Sequence, residues 1–328
     1  MRARNVYIIL YSLAVSLIVI SSAAEAAQKT YRIGYLLSRD SQLGAGAKAF
    51  VEMVSTRTGG RIHIEQEPDS NLGGEVDMLK GVQQGTIDIA IVTGAPLPNF
   101  VPEAGVFSIP FLFRDVAHAH AVLDGSIGQQ YLEKFNEKGM VALAWGENGL
   151  RHLTNSKHPV RSPDDIKGLK LRLPQSEVML AGFTAFGADA APLPFPQLYG
   201  ALRSGRFDGQ ENPIATILAA KFSDVQKYLS LSGHVYDPAL IVVSKDLWSD
   251  LSPSDRALFQ EAARAAAKAS RDYAAEAQRT GVEQLRKQGM EVADQVERDK
   301  FIAALQPAMA DYGKKFGAEI IAAIQNTK

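Results

Sequence analysis

Hydrophobic and polar positions follow two alternating periods in the chain after residue 30. Residues 31–37 are rich in aromatic and β-branched side chains, residues 61–65 alternate Ile with polar residues, and residues 87–92 are almost wholly apolar. These patterns predict three strands, of which the last is buried on both faces. Residues 46–55 and 75–84 repeat their apolar positions at helical spacing. The β-α-β-α-β order predicts a parallel sheet covered by helices.

A second group of strand patterns lies in the middle of the chain, at residues 140–145, 152–155, 169–173 and 188–191. Helical patterns separate the later members, which indicates a second α/β unit beginning near Asn148. Residues 240–244 predict a late apolar strand, which we assign to the first unit. The chain would then cross between the two units more than once.

A strong helix start lies at residue 252. Ser252 can cap the helix, Pro253 suits its first turn, and Asp255 can return a hydrogen bond to the cap. The Ala-, Arg-, Lys- and Glu-rich stretch to about residue 288 contains one breaker, Gly281, and predicts one long helix or two abutting ones. The pattern leaves open whether this helix covers one unit or lies across both. Residues 297–326 also predict helix.

The N-terminus has the three parts of a secretory signal peptide, which we assign to residues 1–26. Arg2 and Arg4 are basic, residues 6–20 form an apolar run, and Ala24-Glu25-Ala26 fits the small-x-small cleavage pattern. A spanning helix needs roughly 20 apolar residues, so cleavage is favoured over an uncleaved membrane anchor. We therefore expect an exported, soluble protein.

Composition narrows the possible functions. The chain has 35 Lys plus Arg against 36 Asp plus Glu, which gives no electrostatic case for nucleic acid or for a membrane surface. It has no Cys, and its 6 His lack the spacing of a zinc site. A nucleophile elbow, a phosphate loop and a dinucleotide fingerprint are all missing from the sequence. We expect no cofactor and no metal.

Two arginines and two further residues are candidates for binding chemistry. Arg151 follows a predicted buried strand, and Arg172 alternates with Leu in a predicted strand; a guanidinium there can hold a carboxylate through two parallel hydrogen bonds. Asn212, before a proline, can offer amide donors, and Phe195 can form an apolar wall. The alternatives are a surface or ion-paired arginine, a capped turn and ordinary packing.

Two histidines lie near a predicted helix start, and we predict no binding role for them. Asp115, His118 and His120 are predicted to be helix-start and surface residues.

Six segments in a fixed order resemble the solute-binding subunits of tripartite ATP-independent periplasmic (TRAP) transporters, the DctP family. They are Asn71-Leu72-Gly73-Gly74-Glu75, Gly85-Thr86-Ile87-Asp88-Ile89-Ala90, Ile109-Pro110-Phe111-Leu112-Phe113, Asn148-Gly149-Leu150-Arg151, Gly168-Leu169-Lys170-Leu171-Arg172 and Asp208-Gly209-Gln210-Glu211-Asn212-Pro213. The resemblance covers nearly the whole chain after the signal peptide.

The resemblance implies an α/β fold of the two-domain periplasmic-binding type (type II-like), with a long helix spanning both domains. Domain I would comprise residues 27–148 and 237–275, and domain II residues 149–236 and 276–328. The ligand would lie between them. The implied location is the periplasm, the implied partners are the small and large TRAP membrane subunits, and we expect a monomer.

The resemblance also implies the roles of individual residues. The Arg at position 172 makes a two-pronged salt bridge to a ligand carboxylate, Arg151 and Asn212 support that anion, and Phe195 packs on the ligand. Glu75 and Thr93 belong to the same predicted site. Arg39 is the remaining member of the predicted site.

The first domain departs from the pattern of related sialic-acid binders. Leu36 stands where some of them carry a polar side chain, and Thr93 stands where they carry an acidic one. This favours a smaller or less polar acid over a polyhydroxylated one. Arg39 is a candidate for holding a second carboxylate.

The sequence thus predicts capture of a small organic acid without chemistry. The alternatives are an exported enzyme acting on small acids and the binding protein of an ATP-driven importer. The enzyme hypothesis is disfavoured because the sequence shows no recognisable nucleophile, no set of metal ligands and no base with a residue to orient it.

Overall fold

Strands and helices alternate along residues 29–328, the part of the chain that this computed structural model describes. The predicted signal peptide lies outside these residues. The strands are β1 Lys29–Tyr35, β2 Ile62–Glu67, β3 Ile89–Thr93, β4 Met140–Asn155, β5 Lys170–Leu173, β6 Asp189–Pro192, β7 Gly209–Pro213, β8 Tyr228–Ser244 and β9 Glu291–Ala293. The helices are α1 Gln42–Arg57, α2 Glu75–Gln84, α3 Val116–Asp124, α4 Ser126–Lys134, α5 Glu177–Ala185, α6 Leu198–Arg203, α7 Ile214–Ala219, α8 Lys245–Asp250, α9 Pro253–Lys287, α10 Arg298–Ala304, α11 Gln306–Phe316 and α12 Ala318–Asn326.

The strands pair in the order β2-β1-β3-β8-β4-β7-β5-β6, with β9 beside β8. At one end β1 runs parallel to β2 and β3, which confirms the predicted parallel arrangement there. At the other end β5 runs parallel to β6 and β7. The antiparallel pair β4 and β8, of 16 and 17 residues, runs through both halves of the sheet. These two long strands are the crossings between the halves.

The strand predictions were too short in the middle of the chain. Residues 140–145 and 152–155 belong to one strand, β4, and residues 240–244 are only the end of β8. The polar cluster before Pro213 is not a turn but the buried strand β7. Polar side chains interrupt the apolar pattern in these strands. They can be buried because they form hydrogen bonds and ion pairs with polar side chains of neighbouring strands.

The crossing strands change register at Gly149, where the pairing with β8 shifts between Glu147 and Gly149. Gly149 has a φ of 129°, and a Cβ there would lie 3.0 Å from the Cβ of Pro213. Only glycine fits this position without strain. The irregularity separates two neighbouring side chains, those of Glu147 and Asn148, which take part in different hydrogen-bond groups.

The C-terminal helix predicted from residue 252 is one continuous 35-residue helix, α9. Ser252 caps it as predicted, accepting a hydrogen bond from the Asp255 amide at 3.1 Å. A Cβ on Gly46 of α1 would lie 3.2 Å from the Ala266 carbonyl oxygen, and one on Gly281 would lie 2.5 Å from Ile214 Cγ2 of α7. The helix therefore contacts elements of both halves, as the resemblance implied.

The last helices also join the two halves. Tyr312 of α11 donates a hydrogen bond to the Val178 carbonyl oxygen of α5 at 2.7 Å. His118 of α3 bonds through Nε2 to the Ile324 carbonyl oxygen of α12 at 2.8 Å. Asp115 caps α3, as predicted, but His118 is buried, so its prediction as a surface residue was wrong. None of the helices within residues 29–328 combines the length and the apolar character needed to cross a membrane.

Candidate functional site

A narrow cleft lies where the two halves of the sheet meet. It is nearly closed, with a cavity volume of ≈ 10 Å³, and its lining comprises Leu36, Leu37, Leu43, Glu75, Thr93, Asn148, Arg151, Arg172, Pro174, Phe195, Asn212 and Thr216. Several of these residues sit at or just beyond the carboxyl ends of strands, where parallel α/β sheets commonly bind their ligands. The lining contains all but one of the residues predicted from the sequence.

Arg172, near the end of β5, is a buried cation without an anionic partner. It is 3% exposed, and its Nε donates a hydrogen bond to the Leu193 carbonyl oxygen at 2.8 Å. No ion pair joins it to any other residue between 29 and 328. Burial lowers its pKa to about 10, while Glu211 and Glu75 oppose that change. The guanidinium is thus protonated at neutral pH, and its terminal nitrogens have no acceptor among residues 29–328.

Arg151 is in the opposite situation, because carboxylates surround it. Its Nε and Nη2 donate to the two carboxylate oxygens of Glu211 at 2.5 and 2.8 Å, and Nη1 donates to Asp237 Oδ2 at 2.6 Å. Burial alone would lower its pKa, but the charges of Glu211 and Asp237 raise it above the usual value. Each of its three side-chain nitrogens thus donates to a carboxylate of the protein.

The charges around Arg151 form a closed network. His234 Nε2 lies 3.1 Å from Glu211 Oε2, and the Ser232 hydroxyl lies 2.8 Å from His234 Nδ1. Burial lowers the pKa of His234, so the neutral imidazole donates to Glu211. Burial would raise the pKa of Glu211, but Arg151 holds it below its usual value. Within this network Arg151 alone faces two acids, Glu211 and Asp237.

Glu75 and Thr93 form a pair on the first half of the sheet. Glu75 starts α2, and its carboxylate accepts from the Thr93 amide at 2.5 Å and from the Thr93 hydroxyl at 3.1 Å. Burial raises the pKa of Glu75 to about 7, and the charge of Asp237 adds to this, while Thr93 and Arg172 oppose it. An acid that titrates near neutrality therefore faces the same cleft as Arg172.

Sequence reasoning missed the amide cluster on the cleft wall. Gln42 Nε2 of α1 donates to Asn148 Oδ1 at 2.7 Å and to the Thr216 hydroxyl of α7 at 2.9 Å. Asn148 also donates to Asp237 Oδ2 at 2.7 Å. Asn148 lies in a segment that carried the resemblance, so a signal existed for it. Gln42 and Thr216 lie in helices without such a motif.

Asn212 and Phe195 occupy the second half of the cleft. Asn212, in β7, is buried and donates to Gln210 Oε1 at 2.5 Å. Phe195 is partly buried, and its ring lies 6.1 Å from that of Phe222. Both side chains line the cleft, together with Arg172.

The apolar wall of the cleft comes from Leu36, Leu37 and Leu43, which are all buried. Arg39 lies close to them in sequence but is exposed, and its Nη2 donates to the Gln66 carbonyl oxygen at 3.3 Å. The structure thus does not bring Arg39 into the lining. Groups of three or more potential metal ligands do not occur among residues 29–328.

The chain is similar to known proteins over most of its length. Residues 33–315 match the family DctP, described as bacterial extracellular solute-binding protein, family 7. The periplasmic 2,3-diketo-L-gulonate-binding protein YiaO of Escherichia coli is 35% identical over 97% of this chain and 98% of its own.

Solved structures are similar at higher identity. A TRAP periplasmic solute-binding protein of a Polaromonas species, bound to D-erythronate, has a TM-score of 0.91 and 46% identity, covering 92% of this chain and 99% of its own. One from a Bordetella species, with density interpreted as pantoate, has a TM-score of 0.90 and 48% identity, covering 92% and 100%.

Proposed function

Because the chain belongs to the DctP family of bacterial extracellular solute-binding proteins, we propose that it captures a small organic acid in the cleft for a TRAP transporter. The observation that carries this proposal is the buried guanidinium of Arg172, which has no acidic partner within residues 29–328. Two TRAP binding proteins of similar structure are described with bound hydroxy acids, which supports the same class of ligand here.

The physical reason is the cost of removing a carboxylate from water. Burying such an anion costs several kcal/mol unless charges and hydrogen bonds replace its hydration. The free donors of Arg172 supply a fork for two parallel bonds, and the charge of Arg151 lies nearby. The cation and the anion thus satisfy each other's buried charge.

The wall opposite the arginine favours a compact ligand. Leu36, Leu37 and Leu43 offer no hydrogen bonds from their side chains, whereas Glu75 and Asn212 offer a few. We propose a short hydroxy acid with an apolar edge. A thermal-shift screen of short hydroxy acids, dicarboxylates, sugar acids and aromatic acids tests this, since a ligand that binds only the folded state raises the melting temperature. Stabilisation by long sugar acids alone would contradict it.

The two halves already lie close together at the cleft. A Cβ on Gly74, at the start of α2, would lie 3.9 Å from both Pro194 and Pro196, so the two sides meet near the mouth of the cleft. We propose that domain I comprises residues 27–148 and 237–275 and domain II residues 149–236 and 276–328. The register shift between Glu147 and Gly149 of β4 supports a boundary there.

We propose that binding is not followed by a reaction and that the protein acts as a periplasmic monomer. The periplasmic relatives support that location, and the small and large TRAP membrane subunits would be the partners. Prolonged incubation with a bound acid, followed by mass spectrometry, separates this from an exported enzyme. Turnover of the acid would refute the binding role.

The raised pKa of Glu75 predicts that ligand capture takes up a proton. Its pKa of about 7 means that the free protein loses this proton as the pH rises through neutrality. A carboxylate arriving at Arg172 adds negative charge and favours protonated Glu75. Affinity should therefore be constant below about pH 7 and fall by up to about tenfold per pH unit above it.

Isothermal titration calorimetry of D-erythronate in buffers of different ionisation enthalpy measures that proton uptake directly. The variant Glu75→Gln should bind without proton uptake and with an affinity independent of pH. Asp77→Asn, in the same turn of α2, is the matched control and should keep the wild-type profile. Proton uptake that persists in Glu75→Gln would assign it to another group.

Arg39 provides a separate test of ligand size. Since its guanidinium bonds to the Gln66 carbonyl outside the cleft lining, Arg39→Ala should leave the affinity for monocarboxylates unchanged. A role in holding a second carboxylate, as predicted from the sequence, requires a loss of affinity specific to dicarboxylates. Calorimetry with matched mono- and dicarboxylates distinguishes the two results.

A further inference from the structure

A cavity with aromatic walls lies between the crossing strands β4 and β8, the loop before α3 and the start of α10, and it shares no residue with the lining of the cleft. Its volume is ≈ 170 Å³, and its apolar walls come from Phe111, Phe113, Val116, Leu150 and Tyr236. Since an apolar cavity of roughly 150 Å³ can bind benzene, this one has room for a single aromatic ring.

Arg298, which also lines this cavity, is a half-buried cation without an acidic partner. Its Nη1 and Nη2 donate to the carbonyl oxygens of Gly233 and Phe113 at 3.4 and 3.5 Å, and no ion pair joins it to another residue between 29 and 328. Both bonds are longer than the typical distance of about 2.9–3.0 Å between a nitrogen donor and an oxygen acceptor. The guanidinium therefore keeps donors that a carboxylate could use better than these carbonyls do.

The guanidinium of Arg298 is held over the ring of Phe111, 4.8 Å from the ring centroid. Phe111 has a φ of 57°, which is uncommon for a bulky side chain, and its amide donates to the His234 carbonyl oxygen at 2.7 Å. Its ring also lies 6.3 Å from that of Phe186 and 6.4 Å from that of Phe301. The fold thus fixes the ring beside the cation, so the cation is positioned before a ligand arrives.

The remaining polar groups of the lining leave an excess of positive charge. Arg114 uses both terminal nitrogens on backbone carbonyl oxygens near the C-terminus, at 2.6 and 2.7 Å, and Asp115 caps α3. His234 is neutral because burial lowers its pKa. Two arginines against one aspartate give the lining one net positive charge, which favours an anion over a cation.

We propose that this cavity binds a small aromatic carboxylate, which accepts two parallel hydrogen bonds from Arg298 and packs its ring against Phe113, Val116 and Tyr236. The carboxylate supplies the counter-charge that the guanidinium lacks, and the ring fills apolar space that a fully hydrophilic anion would leave empty. This second site does not depend on ligand capture in the cleft, because the two linings have no residue in common.

The probe is benzoate, compared with benzyl alcohol and benzylamine as molecules of similar shape. Calorimetry uses the variant Arg172→Met, which removes the cation proposed to bind acids in the cleft. This protein should bind benzoate, bind benzyl alcohol more weakly and not bind benzylamine. Adding Arg298→Met removes the charged fork and should weaken benzoate binding by on the order of tenfold or more.

Two control variants separate this cavity from other positive groups. Val116→Phe fills the cavity while Arg298 stays intact, so it should abolish benzoate binding whatever the folding of the Arg298 variant. Arg264→Met removes an exposed arginine of α9 and should leave benzoate binding unchanged. Circular dichroism checks that each variant is folded.

Crystals of the wild type soaked with 4-bromobenzoate give a test that needs no variant, because anomalous scattering locates the bromine. The bromine should lie between Phe113, Val116 and Tyr236, and a bromine found in the cleft alone would contradict the proposal. Equal binding of benzoate and benzyl alcohol, unchanged benzoate binding after Arg298→Met, or no benzoate binding to Arg172→Met would overturn the proposal in favour of water alone in the cavity.

Discussion

Replacing Arg172 by alanine should weaken the binding of an organic acid by on the order of 2–5 kcal/mol, or roughly thirtyfold to several-thousandfold. The guanidinium is buried, and its terminal nitrogens have no acidic partner within residues 29–328, so the incoming carboxylate is their counter-charge. Without it, the carboxylate would be buried beside Glu75 and Glu211 with only Arg151, whose donors are already engaged. Calorimetry of the wild type and the variant with D-erythronate measures the loss.

Lysine at this position separates charge from shape. Arg172→Lys keeps the positive charge but lacks the planar fork, so it should bind more weakly than the wild type and more tightly than Arg172→Ala. Arg279→Ala, which removes an exposed arginine of α9, is the control and should not change the affinity. Wild-type affinity in both Arg172 variants would remove the central support for the proposed function.

Replacing Arg151 by methionine should lower the free energy of unfolding by about 3–5 kcal/mol, because it leaves two buried carboxylates unpaired. Arg151 is 2% exposed and holds Glu211 through two bonds and Asp237 through a third. Burial raises the pKa of Asp237, and the charge of Arg151 opposes that rise. Removing Arg151 would therefore raise the pKa of Asp237 further. Urea unfolding followed by circular dichroism measures the change.

Two other arginine-to-methionine changes provide the contrast. Arg57→Met breaks an exposed pair with Glu261 at 3.1 Å and should cost less than about 1 kcal/mol. Arg172→Met removes a buried cation that has no acidic partner among residues 29–328, and it should leave stability unchanged or raise it while it weakens binding. Equal destabilisation by Arg151→Met and Arg172→Met would contradict the proposal that Arg151 stabilises the fold whereas Arg172 binds the ligand.

This division was not visible in the sequence. Arg151 and Arg172 are both arginines next to apolar strand residues, and the same reasoning made both candidates for a carboxylate. The partners that distinguish them are distant: Glu211 lies 60 residues and Asp237 lies 86 residues beyond Arg151. Local pattern carries no information about such pairings, because they depend on how β4, β7 and β8 stack side by side.

The same limit explains the errors in the strand predictions. The strand at residues 87–92 was predicted because its almost wholly apolar composition indicates burial. Strand β7 is buried along its whole length, yet it reads Gly209-Gln210-Glu211-Asn212-Pro213, and no strand was predicted there; a capped turn was the alternative to a binding role. Its polar side chains are satisfied by residues of other strands, so its composition gave no sign of burial.

Local physical chemistry was sufficient for the periodic elements. The start of α9 followed from Ser252, Pro253 and Asp255, since a cap, a first-turn proline and a returning acid act within a few residues. Helix α2 was predicted with its observed bounds, and the parallel order of β1 to β3 followed from alternating elements. The resemblance added the two-domain architecture and the cleft, where Arg172, Arg151, Asn212, Phe195, Thr93 and Glu75 meet.

The sequence by itself determined where periodic apolar residues form helices and strands. It also identified which charged residues were candidates for ligand binding. Tertiary structure alone decided that Arg151 is neutralised by Glu211 and Asp237 and that Arg172 has no acidic partner among residues 29–328. The reason is that hydrophobic periodicity acts between near neighbours, whereas the charge of a buried group is settled by whichever residues the fold places around it.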